Sequence, residues 1–184
     1  ATIDFADVVG EYGTITLSPS TWTTINLGDS YTDLVVVASP RYNTNADPQR
    51  TPRIRNKTAT SFEIKVDNVA GSFSGNTVVD WLAMEAGTHD IENGSGTTQV
   101  IAGSVSTNVN QCRGNFSNTG TQVTFSPSFS GSPAVIHTVA SNNDTDWVTS
   151  HVHDAGGAYG TEPSSTGMDV SLNRSFEACD HPTE

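Results

Sequence analysis

Residues 61–66 read Ser-Phe-Glu-Ile-Lys-Val, an unbroken alternation of polar and apolar side chains. This period of two puts Phe62, Ile64 and Val66 on one face of a strand and leaves the opposite face to water. Gly and Pro separate further strand signals at residues 14–17, 22–27, 34–38, 53–55 and 78–84. No stretch carries a helical period with caps. The sequence therefore predicts an all-β fold of antiparallel β-sandwiches.

Composition and charge exclude some classes of function. The chain is 34% hydrophobic, and no apolar run approaches the roughly 20 residues that cross a bilayer as a helix. Twenty acidic residues face eight basic ones, a net charge of −12. Phosphate binding needs a basic face, so nucleic acid is excluded as a partner. The excess of acid fits a solubilising surface, a halophilic source or a surface that collects divalent cations.

The second half of the chain repeats the order of the first. Four stretches carry the match: residues 24–27 with 122–125, 33–36 with 133–136, 53–55 with 151–153, and 60–66 with 166–172. A repeat of roughly 100 residues indicates a tandem duplication. We therefore predict two β-sandwich domains, at residues 11–105 and 106–184.

The duplication leaves the second domain without its last strand. In the first half, residues 60–66 are followed by a Gly-rich loop and then by the strand-like residues 77–85, whereas the second half reaches only its matching loop at 176–184. The start of the chain resembles the absent strand, because Ile3-Asp4-Phe5 corresponds to Val79-Asp80-Trp81 and Gly13-Thr14-Ile15 resembles Gly103-Ser104-Val105. Residues 1–10, including Val8, are therefore predicted to be a donor-strand arm.

A sandwich without one strand exposes unpaired backbone groups beside an open core, which favours aggregation. Three arrangements would supply the strand: the arm folds back into its own molecule, the arm enters a neighbour, or the chain is one period of a longer repeat polypeptide. The second is strand addition, and a head-to-tail contact of that kind generates a filament unless it closes into a ring. We expect the second.

Several stretches resemble the H-type lectin-like β-sandwich module of large secreted microbial proteins, namely residues 22–25, 34–37, 53–64 and 80–87. The resemblance covers most of residues 13–105 and, more loosely, 106–184. It implies a sandwich fold and, for H-type lectins, binding of N-acetylgalactosamine-type sugars by trimers or hexamers. The strand-like start and incomplete last domain resemble donor-strand pilins and other exported filament subunits.

These observations predict a structural subunit of a pilus-like extracellular filament or surface fibre, whose partner is another copy of itself. The alternative is a secreted carbohydrate-binding module, or one repeat of a long surface adhesin, with glycans as the partner. The sequence lacks a Gly-x-Ser-x-Gly elbow, a His-Glu-x-x-His pair and a phosphate loop. We therefore do not expect an enzyme, and the carboxylates Glu63 and Glu85 are interpreted as loop or solvated-face residues rather than as a glycosidase pair.

Three features predict export to the cell surface or beyond it. Ala1 is a small residue of the kind that signal peptidase leaves. Cys112 and Cys179 are an even pair, which an exported protein would join in a disulfide worth about 3–4 kcal/mol. Candidate glycosylation sequons begin at Asn56, Asn93, Asn115, Asn143 and Asn173.

Candidate ligand residues concentrate in the second half. His151 and His153 lie two apart on a predicted strand, and with His137 they would bind zinc or copper if they converge. Because Arg53 and Arg55 hold the matching places in the first half, an exposed polar face explains the histidines as well. The acidic residues Asp144, Asp146 and Asp154 offer Ca²⁺ its preferred oxygen ligands, although an Asn/Asp-rich turn explains them equally. Trp22 and Trp81 are expected to be buried, which leaves Trp147 as the candidate for ligand contact.

Overall fold

The computed structural model describes residues 10–42, 50–68, 75–92, 96–109, 120–141, 149–154 and 162–173. These residues form strands and no helix, which confirms the all-β fold. None of them forms a helix long and apolar enough to cross a membrane. The strands are β1 (Gly10–Leu17), β2 (Thr23–Asn26), β3 (Leu34–Pro40), β4 (Arg50–Arg55), β5 (Ser61–Asn68), β6 (Thr77–Glu85), β7 (Gly87–Glu92), β8 (Thr97–Ala102), β9 (Thr121–Thr124), β10 (Thr149–Asp154) and β11 (Gly167–Asn173).

The chain divides into two compact units. Residues 1–104 with 140–142 make up the first unit, and residues 105–139 with 143–184 make up the second. The first unit contains two three-stranded antiparallel sheets, ordered β1-β6-β3 and β2-β5-β4, and the hairpin β7–β8. The second unit contains the antiparallel sheet β9-β11-β10.

The core of the first unit lies where the alternation predicts it. Phe62, Ile64 and Val66 on β5 are fully buried, while the side chains of Glu63 and Lys65 between them are 24% and 12% exposed, less than the alternation predicts. Phe62 meets Trp81 of β6 edge to face, with ring centroids 5.5 Å apart. The buried residues of this cluster are Leu17, Tyr31, Leu34, Val36, Ala38, Ile54, Phe62, Ile64, Val66, Val79 and Ala83.

The expectation of an exposed polar face at Arg53 is wrong. Arg53 is fully buried, and its Nε donates to the carbonyl oxygen of Ser141 over 3.0 Å. A charged group is tolerated inside because it finds such acceptors. Arg55, two residues on, is half-buried and pairs with Glu63 at 2.6 Å.

The sheets β2-β5-β4 and β9-β11-β10 have the same order and the same register. Ile25 lies opposite Phe62 just as Val123 lies opposite Met168, and Ile54 lies opposite Ile64 just as Val152 lies opposite Val170. The turns that close the sheets also share their backbone hydrogen bonds: Leu27 N to Thr60 O at 2.9 Å and Tyr31 N to Ala59 O at 2.8 Å, against Phe125 N to Thr166 O at 2.9 Å and Phe129 N to Ser165 O at 2.8 Å.

Candidate strand-acceptor site

In the first unit, β6 is the central strand of its sheet. It pairs with β1 along one edge and with β3 along the other. β1 and β3 therefore both form the backbone hydrogen bonds of their inner edges with β6. Removing β6 from the first unit would leave two unpaired edges and an opening between them.

Side chains at both ends of β6 hold it in place. Near its start, Asp80 accepts from Thr14 Oγ1 at 2.6 Å and from Arg41 through Nε at 2.6 Å and Nη2 at 2.7 Å. The hydrogen bond to Arg41, followed by the one to Thr14, lowers the pKa of Asp80 to about 2. At its end, the Glu85 carboxylate accepts from the backbone N–H groups of Thr32 and Asp33, both at 2.7 Å.

Two segments correspond in sequence to β1 and β3: one runs from the last residues of the first unit into the second, and the other lies in the second unit. We call residues 103–109 and 132–139 the acceptor flanks. Neither flank belongs to a ladder among the described residues, and only Val139 forms an isolated bridge. The predicted strand at 133–136 is therefore an extended segment, because no described strand lies beside it as β6 lies beside β3.

The first flank is held against β11. Leu172 donates its backbone N–H to the carbonyl of Val109 at 2.9 Å, while the Thr107 hydroxyl donates to the Val170 carbonyl at 3.4 Å. Thr121 on β9 donates its hydroxyl to that of Thr107 at 2.8 Å. In the first unit, Ser20, which follows β1, donates its backbone N–H to the carbonyl of Val66, the counterpart of Leu172, at 3.2 Å. Donor and acceptor are exchanged between the two units, but in both a residue of this region contacts the same end of the corresponding strand, β5 or β11.

Apolar side chains that are covered in the first unit are open in the second. Val36 of β3 is 3% exposed, whereas Ile136, at the matching position of the second flank, is 71% exposed. Ile15 of β1 is half-buried against the core, whereas its counterpart Val105 is 39% exposed. We call the region beside the two flanks, where Val105 and Ile136 are exposed, the slot.

The residues predicted to fill or brace this slot lie outside the described ranges. They are the arm residues Ile3, Asp4, Phe5 and Val8 and the cysteines Cys112 and Cys179. The same holds for Asn93, Asn115, Asn143, Asp144, Asp146 and Trp147. The predictions made for all of them stay predictions.

Metal binding by the histidines stays a prediction. His151 and His153 lie in β10 at ladder positions opposite Ser171 and Asp169 of β11. His137 bonds through Nδ1 to the Ser150 hydroxyl at 2.6 Å. Desolvation of the ring lowers the pKa of His137, and the neighbouring His151 lowers it further. Among the described side chains no three His, Cys, Asp or Glu residues converge as a metal site would require; Asp154 is described as part of β10.

The other candidates within the described ranges serve the local structure. Asn56 is exposed at a positive φ of 46° and donates its side-chain amide to Glu63 at 2.7 Å, while Asn173 ends β11. Trp22 and Trp81 are half-buried rather than buried. The Trp22 ring lies 4.0 Å below the Arg55 guanidinium, so a cation already covers its face.

The match between the two halves includes the slot residues Gly103, Ser104, Val105 and Ile136, but the exposure of Ile136 was not predicted from it. The signal for that exposure is the match itself, because an apolar counterpart of a core residue, such as Ile136, needs a covering strand. Comparison of the chain with protein-family models, with curated proteins and with solved structures finds no match.

Proposed function

We propose that this protein is the subunit of an extracellular, pilus-like filament that assembles head to tail. Residues 1–9 of one copy enter the slot of the second unit of the next copy and complete its sheet as β6 completes the sheet of the first unit. The observation that supports this proposal most directly is the contrast between Val36 and Ile136, which hold matching positions and are 3% and 71% exposed. Ile136 is the residue that an added strand would cover.

The sequence of residues 1–9 fits this role. Ile3-Asp4-Phe5 corresponds to Val79-Asp80-Trp81 of β6. The common register of β2-β5-β4 and β9-β11-β10 supports the duplication on which this correspondence depends. Burying Ile3 and Phe5 would contribute about 1.5–3 kcal/mol each, alongside a backbone ladder.

A second copy is the preferred acceptor because of how the arm is joined to the chain. Residue 9 leads straight into β1 at Gly10, with no spacer. By contrast, β6 and the first flank are joined through residues 86–102, which include the β7–β8 hairpin. To fill the slot of its own molecule, the arm would have to reach it under the limits of both connections, the one to β1 and the one through residues 86–102. To fill the slot of a separate copy, the arm is limited only by its connection to β1. A heterologous contact of this kind propagates into a fibre.

The test compares assembly of the full chain with that of Phe5→Asp, which places a charge where the slot needs an apolar ring. Wild-type protein should form fibres by negative-stain electron microscopy, and the variant should be monomeric by size-exclusion chromatography. The matched control is Tyr12→Asp, an exposed aromatic on β1, which should still assemble.

Two results would overturn the proposal. One is a Phe5→Asp protein that forms normal fibres. The other is a wild-type monomer whose residues 1–9 are protected from hydrogen exchange, since the arm would then close its own slot.

A further inference from the structure

The ladder between β1 and β6 contains three consecutive pairs that are chemically distinct. Gly13 lies opposite Trp81, Thr14 opposite Asp80, and Ile15 opposite Val79. The first joins a residue without a side chain to a large ring, the second is a hydrogen bond at 2.6 Å, and the third is apolar. Together they specify one register, because a shifted strand would break all three.

Gly13 is required by the ring opposite it. A Cβ built at residue 13 would stand 2.6 Å from Cζ2 and 2.8 Å from Cε2 of Trp81. Such distances are far below van der Waals contact, so any side chain at residue 13 would displace the indole. An aromatic ring that lies across a strand glycine is a known way to fix register.

The first acceptor flank contains three residues of the same types as Gly13, Thr14 and Ile15 of β1. Gly103 corresponds to Gly13, Ser104 to Thr14 with its hydroxyl kept, and Val105 to Ile15. A Cβ built at Gly103 meets no atom within 4 Å, so the space that the Trp81 ring occupies beside Gly13 is open beside Gly103. Gly103 is the only residue of this flank without a side chain.

We infer that the arm enters the slot in one register, with Phe5 across Gly103, Asp4 opposite Ser104 and Ile3 opposite Val105. This inference rests on the proposed function, because it names the contacts that the added strand makes. Phe5 takes the place of Trp81, and the Ser104 hydroxyl donates to the Asp4 carboxylate as Thr14 donates to Asp80. The glycine therefore acts as the register mark of the acceptor.

Sliding the arm by two residues leaves the same side chains on each face of the strand but changes the flank residues that they meet. In one direction Phe5 would meet Val105, and Ile3 would meet Thr107, whose side chain is buried and bonded to β11 and β9. In the other direction Phe5 would meet Ile101 and Ile3 would meet Gly103, so the open space beside the glycine would receive the smaller side chain. The register with Phe5 across Gly103 places the ring in that space and keeps Ile3 away from Thr107.

Engineered disulfides test the register. Two differently tagged chains are co-expressed, one with Asp4→Cys and the other with Ser104→Cys. Residues directly opposite in an antiparallel ladder have Cα atoms about 4.5–5.5 Å apart, within the range that a disulfide bridges. The control pairs Asp4→Cys with Ser106→Cys, one step further on the same face at about 7–8 Å. Peptide mapping by mass spectrometry separates these bridges from those of Cys112 and Cys179.

We expect the 4–104 bridge at a yield at least about tenfold above the 4–106 bridge. Equal yields, or a preference for 106, would overturn the register while leaving strand exchange intact. A 4–104 bridge only within single chains would contradict the filament and keep the register. Absence of both bridges in protein that still forms fibres would overturn the inference.

A glycine substitution provides the second measurement. Gly103→Val should abolish fibres, because the added side chain fills the space of the Phe5 ring. The matched control Gly131→Val also introduces a side chain where a Cβ meets nothing within 4 Å, and it should assemble normally. Normal assembly of Gly103→Val would contradict the inference, whereas loss of assembly by both variants would mean that Gly103 has no special role.

Discussion

The buried guanidinium of Arg53 donates from Nε to the main-chain oxygen of Ser141 over a distance of 3.0 Å. Ser141 belongs to residues 140–142, a short segment of the first unit that directly follows the second acceptor flank. Ala140 in the same segment packs against the core of the first unit. The hydrogen bond therefore holds Ser141 against the core of the first unit.

Replacing Arg53 by Met should lower the free energy of unfolding by about 1.5–3 kcal/mol, the usual range for a hydrogen bond to a charged group. The Ser141 carbonyl would lose its donor while the aliphatic packing would remain. Urea unfolding of the variant in the assembly-blocked Phe5→Asp background measures the loss. Arg41→Met is the control, since Arg41 is exposed, and it should give a smaller change. Equal changes would show that burial of Arg53 has no special effect.

Val36 and Ile136 provide a matched pair of core substitutions. Val36→Ser should cost about 2–3 kcal/mol of unfolding free energy, because Val36 is buried in the core of the first unit. Ile136→Ser should change that energy by less than about 0.5 kcal/mol in the Phe5→Asp background, since its side chain is exposed there. In the otherwise wild-type chain, Ile136→Ser should raise the concentration needed for fibre formation. Unchanged assembly would contradict a covered Ile136.

Acid should release the bond network around Asp80. Its pKa is lowered to about 2 by Arg41 and Thr14, so the folded chain holds the carboxylate ionised where the unfolded chain would already bind a proton. The resulting stability is present above about pH 4 and is lost as the pH falls towards 2. Asp80→Asn should therefore melt below the wild type at pH 5 and approach it at pH 2. A constant difference in melting temperature across this range would contradict the assignment.

Cys112 and Cys179 are expected to form one disulfide in purified protein. The bridge should stabilise the second unit by about 3–4 kcal/mol, because it closes a long loop in the unfolded chain. Mass spectrometry of unreduced peptides should find the two cysteines joined, and reduction should accelerate hydrogen exchange at β11 before it does so at β5. Labelling of both thiols in unreduced native protein would refute the bridge.

The alternation of polar and apolar residues in short segments predicted most of the strands. Phe62, Ile64 and Val66 are buried as their period of two predicts, and His151 and His153 lie at the ladder positions that the repeat assigned to them. Residues 133–136 have the same apolar character as β3 but form no ladder, because pairing depends on a neighbouring strand that a local pattern does not reveal. The β7–β8 hairpin was not predicted, because residues 97–102 show no clear alternation of polar and apolar side chains.

The candidate site was harder to predict than the fold. Arg53 looked like a solvent-facing residue because its acceptor, Ser141, is distant along the chain. The sequence matches Gly103 to Gly13, but the meaning of this match comes only from the contact between Gly13 and Trp81. Both features depend on long-range neighbours, which composition and periodicity do not encode.

The direct connection between residue 9 and β1 has a mechanical consequence for the proposed fibre. A pull along the fibre would pass from the donor strand into β1 without a flexible link. The hydrogen bonds that join β1 to β6 run perpendicular to the strands, and they extend over eight residue pairs from Gly10 to Leu17. Tension would load this ladder in shear, so that many bonds resist together instead of opening one at a time. The first unit would then resist stretching through the sheet that β1 forms with β6.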